Sequence, residues 1–310
     1  MQLFRDLDVR GRFVQGSVAT IGNFDGIHLG HQALLDTVRE NARARDLAGV
    51  VVTFDPLARE YFAPDAAPGR IYNTSQRLRH LARERLTATW LMRFNRTLAD
   101  LTPGAFVELL RRGINPQIIV VGQGFRFGRD RAGDIETLTA GGEVQVIAVP
   151  PVLLGDERVS STRIRQVLAA GDLKGAERLL GRPFNMYGRV VRGQALGRTL
   201  GFPTANIRLH RRATPISGIF AVRVTGAGLT QWPGVASIGT RPTVGGKETL
   251  LEVFLFDFSA DLYGNHLEVE FVARLRDEEK FDSLDAMTVQ MLKDAERARA
   301  LLDENQQEKT

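Results

Sequence analysis

The sequence predicts an α/β unit built on a parallel sheet, followed by a small antiparallel β-barrel and a C-terminal helix. Three observations carry this. Up to about residue 180, unbroken apolar runs alternate with stretches of helical periodicity, the pattern of strands covered on both faces by crossover helices. Beyond that point, short β-type runs are separated by Gly, Pro, Asn and Asp, the punctuation of a small barrel. Between the apolar run Val18-Ala19-Thr20-Ile21 and an amphipathic stretch lies a glycine-rich turn, so the segment reads strand, loop, helix.

The elements follow in order. After that turn, Leu34, Leu35, Val38 and Ala42 recur at helical spacing in a run that begins at Ala33. Further strands are expected at Val50 to Phe54, Thr89 to Arg93, Ile118 to Gly122 and Val144 to Val149. A helix over Thr74 to Arg85 turns Leu78, Leu81 and Ala82 inward, and another starts at Thr102 with Pro103 at its first position, where a missing N–H costs nothing. Ser160, Ser161 and Thr162 are suitable caps for a helix with the stripe Ile164, Val167 and Leu168 and a stop at Gly171. Gly and Pro interrupt helical periodicity between Gly181 and Phe184, which predicts domains of residues 1–181 and 182–310. The barrel strands are expected at Tyr187 to Arg192, Gly218 to Val224, Gly234 to Gly239, Leu250 to Phe256 and Leu267 to Val272. Ser283 then caps a terminal helix whose stripe is Leu284, Met287, Met291, Leu292, Ala295, Ala298 and Leu302.

Composition narrows the class. A chain of 310 residues, 43% hydrophobic, has material for two compact domains. It has no cysteine, which excludes disulfides and thiolate metal sites and fits a reducing compartment. No run reaches the roughly 18 apolar residues of a membrane helix, and the N-terminus lacks the basic start and apolar core of a signal peptide, so a cytoplasmic protein without a membrane partner is expected. The 41 basic and 36 acidic residues are spread along the chain, and a net charge of +5 gives little support to nucleic-acid binding.

The turn itself, Gly22-Asn23-Phe24-Asp25-Gly26-Ile27-His28-Leu29-Gly30-His31, is suited to phosphate. Backbone N–H groups and the helix dipole favour an anion there. Gly22, Gly26 and Gly30 let the backbone approach a ligand or adopt positive φ. His28 and His31 can donate to phosphate oxygens and stabilise charge that develops in a displacement. A zinc site would want a third ligand, and His80, His210 and His266 lie in unrelated contexts. A second anion signal is Arg158-Val159-Ser160-Ser161-Thr162-Arg163-Ile164-Arg165, where arginines at a helix start oppose the dipole unless an anion joins them.

In the second half, Pro203 fixes the backbone before Thr204, and Thr204 and Asn206, two positions apart, can converge on one hard cation or phosphate. Glu252 is the one charged residue in Leu250-Leu251-Glu252-Val253-Phe254-Leu255-Phe256. A strand puts it on a face with Phe254 and Phe256, where partial desolvation favours a carboxylate as proton acceptor.

The first turn resembles the H-x-G-H signature of nucleotidyltransferases, and its longer form, G-x-F-D-G-x-H-x-G-H, resembles the prokaryotic bifunctional riboflavin kinase/FAD synthetase family. Arg158 to Arg165 resembles that family's I-S-S-T-x-x-R, with Val159 in place of Ile. Arg192-Gly193-Gln194-Ala195-Leu196-Gly197-Arg198-Thr199-Leu200-Gly201-Phe202-Pro203-Thr204-Ala205-Asn206 is similar to the G-x-x-x-G-F-P-T-A-N segment of riboflavin kinases, and the segments at 234–243, 261–264 and 276–284 also resemble them. The resemblance runs from about Val18 to Leu302. It implies a Rossmann-like nucleotidyltransferase domain that adenylylates FMN to FAD with release of pyrophosphate, and a flavokinase barrel that uses ATP and Mg²⁺ to phosphorylate riboflavin to FMN. By that match Gly22, Phe24, Asp25, Gly26, His28, Gly30 and His31 hold the nucleotide triphosphate, and Arg158, Ser161 and Arg165 hold the departing pyrophosphate. Thr204 ligates Mg²⁺ and Asn206 assists at the metal and phosphates. Glu252 is the base, and the lead containing Gly197 and Gly201 folds over the nucleotide. The family's V-G-x-D/N-F-x-F-G reads Val121-Gly122-Gln123-Gly124-Phe125-Arg126-Phe127-Gly128 here, so Gly124 removes a polar side chain from the adenylylation site beside Phe125. Ser237 and Phe254 replace an often-seen Asn and His. An adenylyltransferase with a flavin-sensing barrel is disfavoured by intact Thr204, Asn206 and Glu252. A non-catalytic flavin or nucleic-acid binder is disfavoured by intact His28, His31 and Arg165.

Overall fold

A computed structural model of the chain describes residues 1–140, 142, 144–193, 202–209, 213–243 and 246–307. The chain forms two compact units, Met1–Ala67 with Arg77–Ser160, and Pro68–Gln76 with Ser161–Thr310.

The first unit holds strands β1 (Gln2–Arg5), β2 (Ser17–Ile21), β3 (Ala48–Asp55), β4 (Ala88–Arg93), β5 (Pro116–Gly122) and β6 (Gln145–Val149). They form one sheet in the order β1-β4-β3-β2-β5-β6, every pairing parallel. Around it lie α1 (Leu29–Ala44), α2 (Ala58–Phe62), α3 (Thr74–Arg83), α4 (Arg96–Ala99), α5 (Pro103–Ile114) and α6 (Ile135–Thr139), with a short hairpin of β7 (Leu153–Leu154) and β8 (Glu157–Arg158). The apolar runs are unbroken because both sheet faces are covered: Val50 and Val52 of β3 join a core with Ala19, Trp90 and Leu110, whereas Val51 faces the opposite core with Val18, Leu35 and Leu81. Thr102 caps α5 as expected, its side chain accepting from Ala105 N–H at 3.2 Å with Pro103 next.

Three expectations are corrected in this unit. Helix α1 begins at Leu29 rather than Ala33, because His28 acts as its N-cap with Nδ1 accepting the His31 N–H at 3.3 Å; Gly30 and His31 therefore belong to the helix and not to the turn. Of the three loop glycines only Gly26, with φ of 90°, uses the left-handed region. Ala82 of α3 is exposed, and the inward face of that helix is partly polar. Strand β1 carries no expectation, since Gln-Leu-Phe-Arg is too short to show a period.

The second unit contains α7 (Ser161–Ala169), α8 (Leu173–Leu180), β9 (Asn185–Val191), β10 (Thr204–Arg208), β11 (Gly218–Gly226), β12 (Leu229–Thr243), β13 (Gly246–Leu255), β14 (His266–Arg276) and α9 (Leu284–Gln307). The strands close a barrel in the order β10-β13-β12-β11-β14-β9, with β9 pairing back onto β10 and every neighbour antiparallel. Helix α9 is capped by the Ser283 hydroxyl, which accepts from Ala286 N–H at 3.1 Å. It lays Ala298 and Leu302 on Ala221, Phe256 and Leu275, and buried Arg223 donates to the Leu302 carbonyl at 2.6 Å. Leu284 and Leu292, expected on the inward stripe, are exposed. The segment Pro68–Gln76 packs within this unit: Asn73 donates to the Tyr187 carbonyl at 2.7 Å, and Gln76 donates to the Asn185 carbonyl at 2.9 Å. No strand is expected from the sequence at 204–208, where Pro203 precedes alternating polar residues, yet β10 is a full barrel strand.

Candidate active sites

In the first unit the chain leaves the carboxyl end of β2 through the loop Gly22 to His28. Phe24 (φ 48°), Gly26 (φ 90°) and Ile27 (φ 43°) all occupy the left-handed region. For the two non-glycine residues this stores strain of about 1–3 kcal/mol each, so surrounding contacts must hold the loop. Phe24 and Ile27 are fully buried with Leu35 and Val38, and Asp25 is buried beside them. The loop delivers His28 to the start of α1 and His31 to its first turn, with the two rings stacked at 3.7 Å between centroids. A Cβ on Gly30 would stand 3.2 Å from the His28 ring, so glycine there admits the imidazole.

These histidines line a cavity of about 290 Å³ with Gly30, Gly122, Gln123, Gly124, Pro150, Pro151, Arg158 and Ser160. It lies past the carboxyl ends of β2, β5 and β6, where open α/β sheets bind ligands. Histidine N–H donors and the Arg158 guanidinium thus surround a space suited to phosphate at a helix N-terminus. Gly124 forms part of the wall. Its φ lies outside the left-handed region, and a Cβ there would meet nothing within 4 Å. Phe125 turns away to stack on Phe127 at 5.5 Å. Ser161 and Arg165 lie on α7 in the second unit, and Arg165 Nε donates to the Gly69 carbonyl at 2.8 Å. Arg77 is absent from the residues expected to act; it is 1% exposed and donates to the carbonyls of Asn23 and Phe54, each at 2.7 Å. Its signal was its position four residues before buried Leu81, on the same helix face.

In the barrel, register brings the expected kinase residues together. Thr204 stands opposite Phe254, Asn206 opposite Glu252, and Glu252 opposite Ser237, so Thr204, Asn206 and Glu252 share one face of β10 and β13. Thr204 and Asn206 line a cavity of about 520 Å³ with Gly193, Pro203, Phe258, Asp261 and Tyr263. Asn206 is only 5% exposed, and its Oδ1 is buried without a hydrogen-bond partner among the described residues. A Cβ on Gly193 would come within 2.5 Å of the Asn206 amide, so only glycine leaves that amide its place. Arg192 lies over the Tyr263 ring at 5.8 Å, and the Asp261 carboxylate accepts from Tyr263 N–H at 2.8 Å. Gly197 and Gly201 lie outside the described residues. Among the described residues there is no group of three or more His, Asp or Glu that could hold a metal ion.

Comparison with known proteins bears on both sites. Residues 12–163 match the FAD synthetase family model, and residues 180–302 match the riboflavin kinase model. The chain is 42% identical to the bifunctional riboflavin kinase/FMN adenylyltransferase of Haemophilus influenzae, over 98% of this chain and 100% of that protein. It is 44% identical to the protein of the same description from Escherichia coli K12, over 92% of each, and 45% identical to that of Pseudomonas fluorescens, over 97% and 98%. A crystal structure from Streptococcus pneumoniae, described as a macrolide-efflux protein, matches with a TM-score of 0.80 at 36% identity, covering 96% of this chain and 99% of that one. Among the described residues of the present chain, no helix is long and apolar enough to cross a membrane. With both family matches in sequence order and relatives aligned almost end to end, the chain belongs to the family of bifunctional riboflavin kinases/FMN adenylyltransferases.

Proposed function

We propose that the family's two reactions divide along the chain. Residues 1–181 transfer the adenylyl group of ATP to FMN, giving FAD and pyrophosphate. Residues 182–310 transfer the γ-phosphoryl group of ATP to riboflavin, giving FMN and ADP. The observation that carries this reading is the separation of two residue sets: His28, His31, Gly30 and Arg158 around one cavity, and Thr204, Asn206 and Glu252 on one barrel face. The family matches at 12–163 and 180–302 support the same division.

In the adenylyl transfer, an FMN phosphate oxygen attacks the α-phosphorus of ATP as the bond to the pyrophosphate oxygen breaks. No covalent enzyme intermediate is needed, so the protein positions the reactants and neutralises developing charge. His28 and His31 donate to the phosphate oxygens and Arg158 holds the departing pyrophosphate, a role that the family resemblance also implies for Ser161 and Arg165. The loop residues Gly22, Phe24, Asp25 and Gly26 shape the turn beneath the triphosphate.

In the kinase reaction, the ribityl 5′-hydroxyl attacks the γ-phosphorus, its proton passes to Glu252, and the bond to ADP breaks. The Thr204 hydroxyl and the Asn206 Oδ1, which has no hydrogen-bond partner among the described residues, are hard oxygen donors that fit Mg²⁺. Bound there, the ion supplies neutralisation of the ATP phosphates. The lack of cysteine supports a cytoplasmic location. The test is a chromatographic product profile with riboflavin, ATP and Mg²⁺: the wild-type chain yields FMN and FAD, whereas His31→Ala yields FMN with FAD formation stopped. Loss of both products in a folded His31→Ala protein contradicts the division.

A further inference from the structure

We infer that Arg77 is a positioning residue for adenylyl transfer, acting through the backbone of the histidine loop; this rests on the assignment of that reaction to the histidine cavity. The pairing of β2 with β3 runs Thr20 to Val51 and Ile21 to Val52, and its continuation is Gly22 N–H donating to the Val52 carbonyl at 3.0 Å. Past that bond the two strands part. There the Arg77 guanidinium bridges them, Nη1 to the Asn23 carbonyl and Nη2 to the Phe54 carbonyl, both at 2.7 Å, while the Thr53 hydroxyl also donates to the Asn23 carbonyl at 3.3 Å.

The Asn23 carbonyl belongs to the peptide that enters Phe24, the first left-handed residue of the loop. Fixing that peptide plane fixes where the strained stretch begins. At the other end, the Gln32 side chain donates to the Ile27 carbonyl at 2.9 Å. These bonds hold the entry and the exit of the strained stretch that leads to His28. Since the His31 N–H bonds to His28 Nδ1 and the rings stack, a shift of the loop moves both imidazoles.

A nearly inaccessible guanidinium is costly to bury and is tolerated only where its hydrogen bonds are made. The planar fork of arginine spans two carbonyls at a fixed separation, which a lysine ammonium does not. The sheet pairing is complete without these bonds, so their removal leaves the strands paired and the loop entry held only by the longer Thr53 bond among those to the Asn23 carbonyl. Arg77 is not a wall of the cavity, and its effect on the reaction is therefore indirect.

The experiment uses the full chain with Arg77→Met, Arg77→Lys and, in parallel, His31→Ala. FAD formation from FMN and ATP and FMN formation from riboflavin and ATP are measured on the same preparations. Misplacement of catalytic groups by an ångström costs up to roughly 100-fold. Arg77→Met is accordingly expected to lower kcat for adenylyl transfer by about 10- to 100-fold, with KM for ATP within about threefold of wild type and kinase turnover unchanged. Arg77→Lys is expected to be intermediate at wild-type thermal stability, and if Arg77→Met does not fold, this variant alone decides. Wild-type kcat in a folded variant, a loss confined to KM, or an equal loss of both activities overturns the proposal. If His31→Ala still makes FAD, the assignment of the reaction to this cavity fails. If it makes none while Arg77→Met and Arg77→Lys are wild type, the positioning role alone fails.

Discussion

Glu252 gains its place from its two cross-strand neighbours, Asn206 on β10 and Ser237 on β12. Removing a positioned general base costs about 10²- to 10⁴-fold. Glu252→Gln should therefore lower riboflavin phosphorylation by that order while adenylylation of supplied FMN persists, which steady-state assays of the two half-reactions measure. Gly124 invites the opposite test. With ordinary φ and open space at its Cβ position, it accepts a side chain without backbone strain. Gly124→Asn should fold normally and raise FMN-to-FAD turnover, by about tenfold to a hundredfold if one hydrogen bond to a charged phosphate, worth roughly 1.5–3 kcal/mol, is realised in the transition state. Unchanged turnover in the folded variant would mean that Gln123 or the backbone already fills the role. That His28, His31 and Arg158 meet at one cavity, and that Thr204, Asn206 and Glu252 share one barrel face, was legible because each lies in a short run of unusual composition. Arg77 and Gly193 were not, because their roles depend on carbonyls and an amide that only folding brings near.

At the scale of elements, buried parallel strands announced themselves as apolar runs, and the caps Thr102 and Ser283 were read correctly. The start of α1 at Leu29 is hidden in the sequence because histidine is not a customary cap and the histidine pair caps itself. Strand β10 shows no clear signal in the sequence because Pro203 opens it and five residues are too few for the alternation of polar with apolar positions to stand out. Helix α6 illustrates a cap with a pH signature. Asp134 accepts from the Thr137 hydroxyl at 2.8 Å and the Thr137 N–H at 3.0 Å, and these bonds hold its carboxyl below the ordinary value of 3.8. A carboxylate lowered in the folded state stabilises it above the ordinary value and loses that contribution as pH falls through the lowered one. The thermal midpoint of Asp134→Ala should thus lie below wild type at pH 7, and the gap should narrow as the pH falls below 3.8.

For the whole molecule, the two-part organisation was legible from the change in periodicity. The membership of Pro68–Gln76 in the second unit was not, since a segment remote in sequence supplies side chains for barrel carbonyls. A chain beginning at Arg182 retains every barrel strand with Thr204, Asn206 and Glu252, and should still make FMN. It gives up the bonds from Asn73 and Gln76 to the carbonyls of Tyr187 and Asn185, and that of the Tyr72 hydroxyl with Arg182. At about 0.5–1.5 kcal/mol for each hydrogen bond, this fragment should melt several degrees below one in which residues 68–76 are supplied as a peptide, as a calorimetric scan would record.

Ring closure has a further consequence for how the protein behaves in concentrated solution. In the second unit every barrel strand has a neighbour on both sides, so the ring offers no unpaired strand margin to another chain. The parallel sheet of the first unit has two such margins, β1 and β6. Strand β1 is four residues long and ends in Arg5, a charge that discourages addition of a foreign strand. Strand β6 reads Gln-Val-Ile-Ala-Val without a charge, and only its β5 side is paired among the described residues. It is therefore here, and not at the barrel, that self-association of the folded chain by strand addition would start.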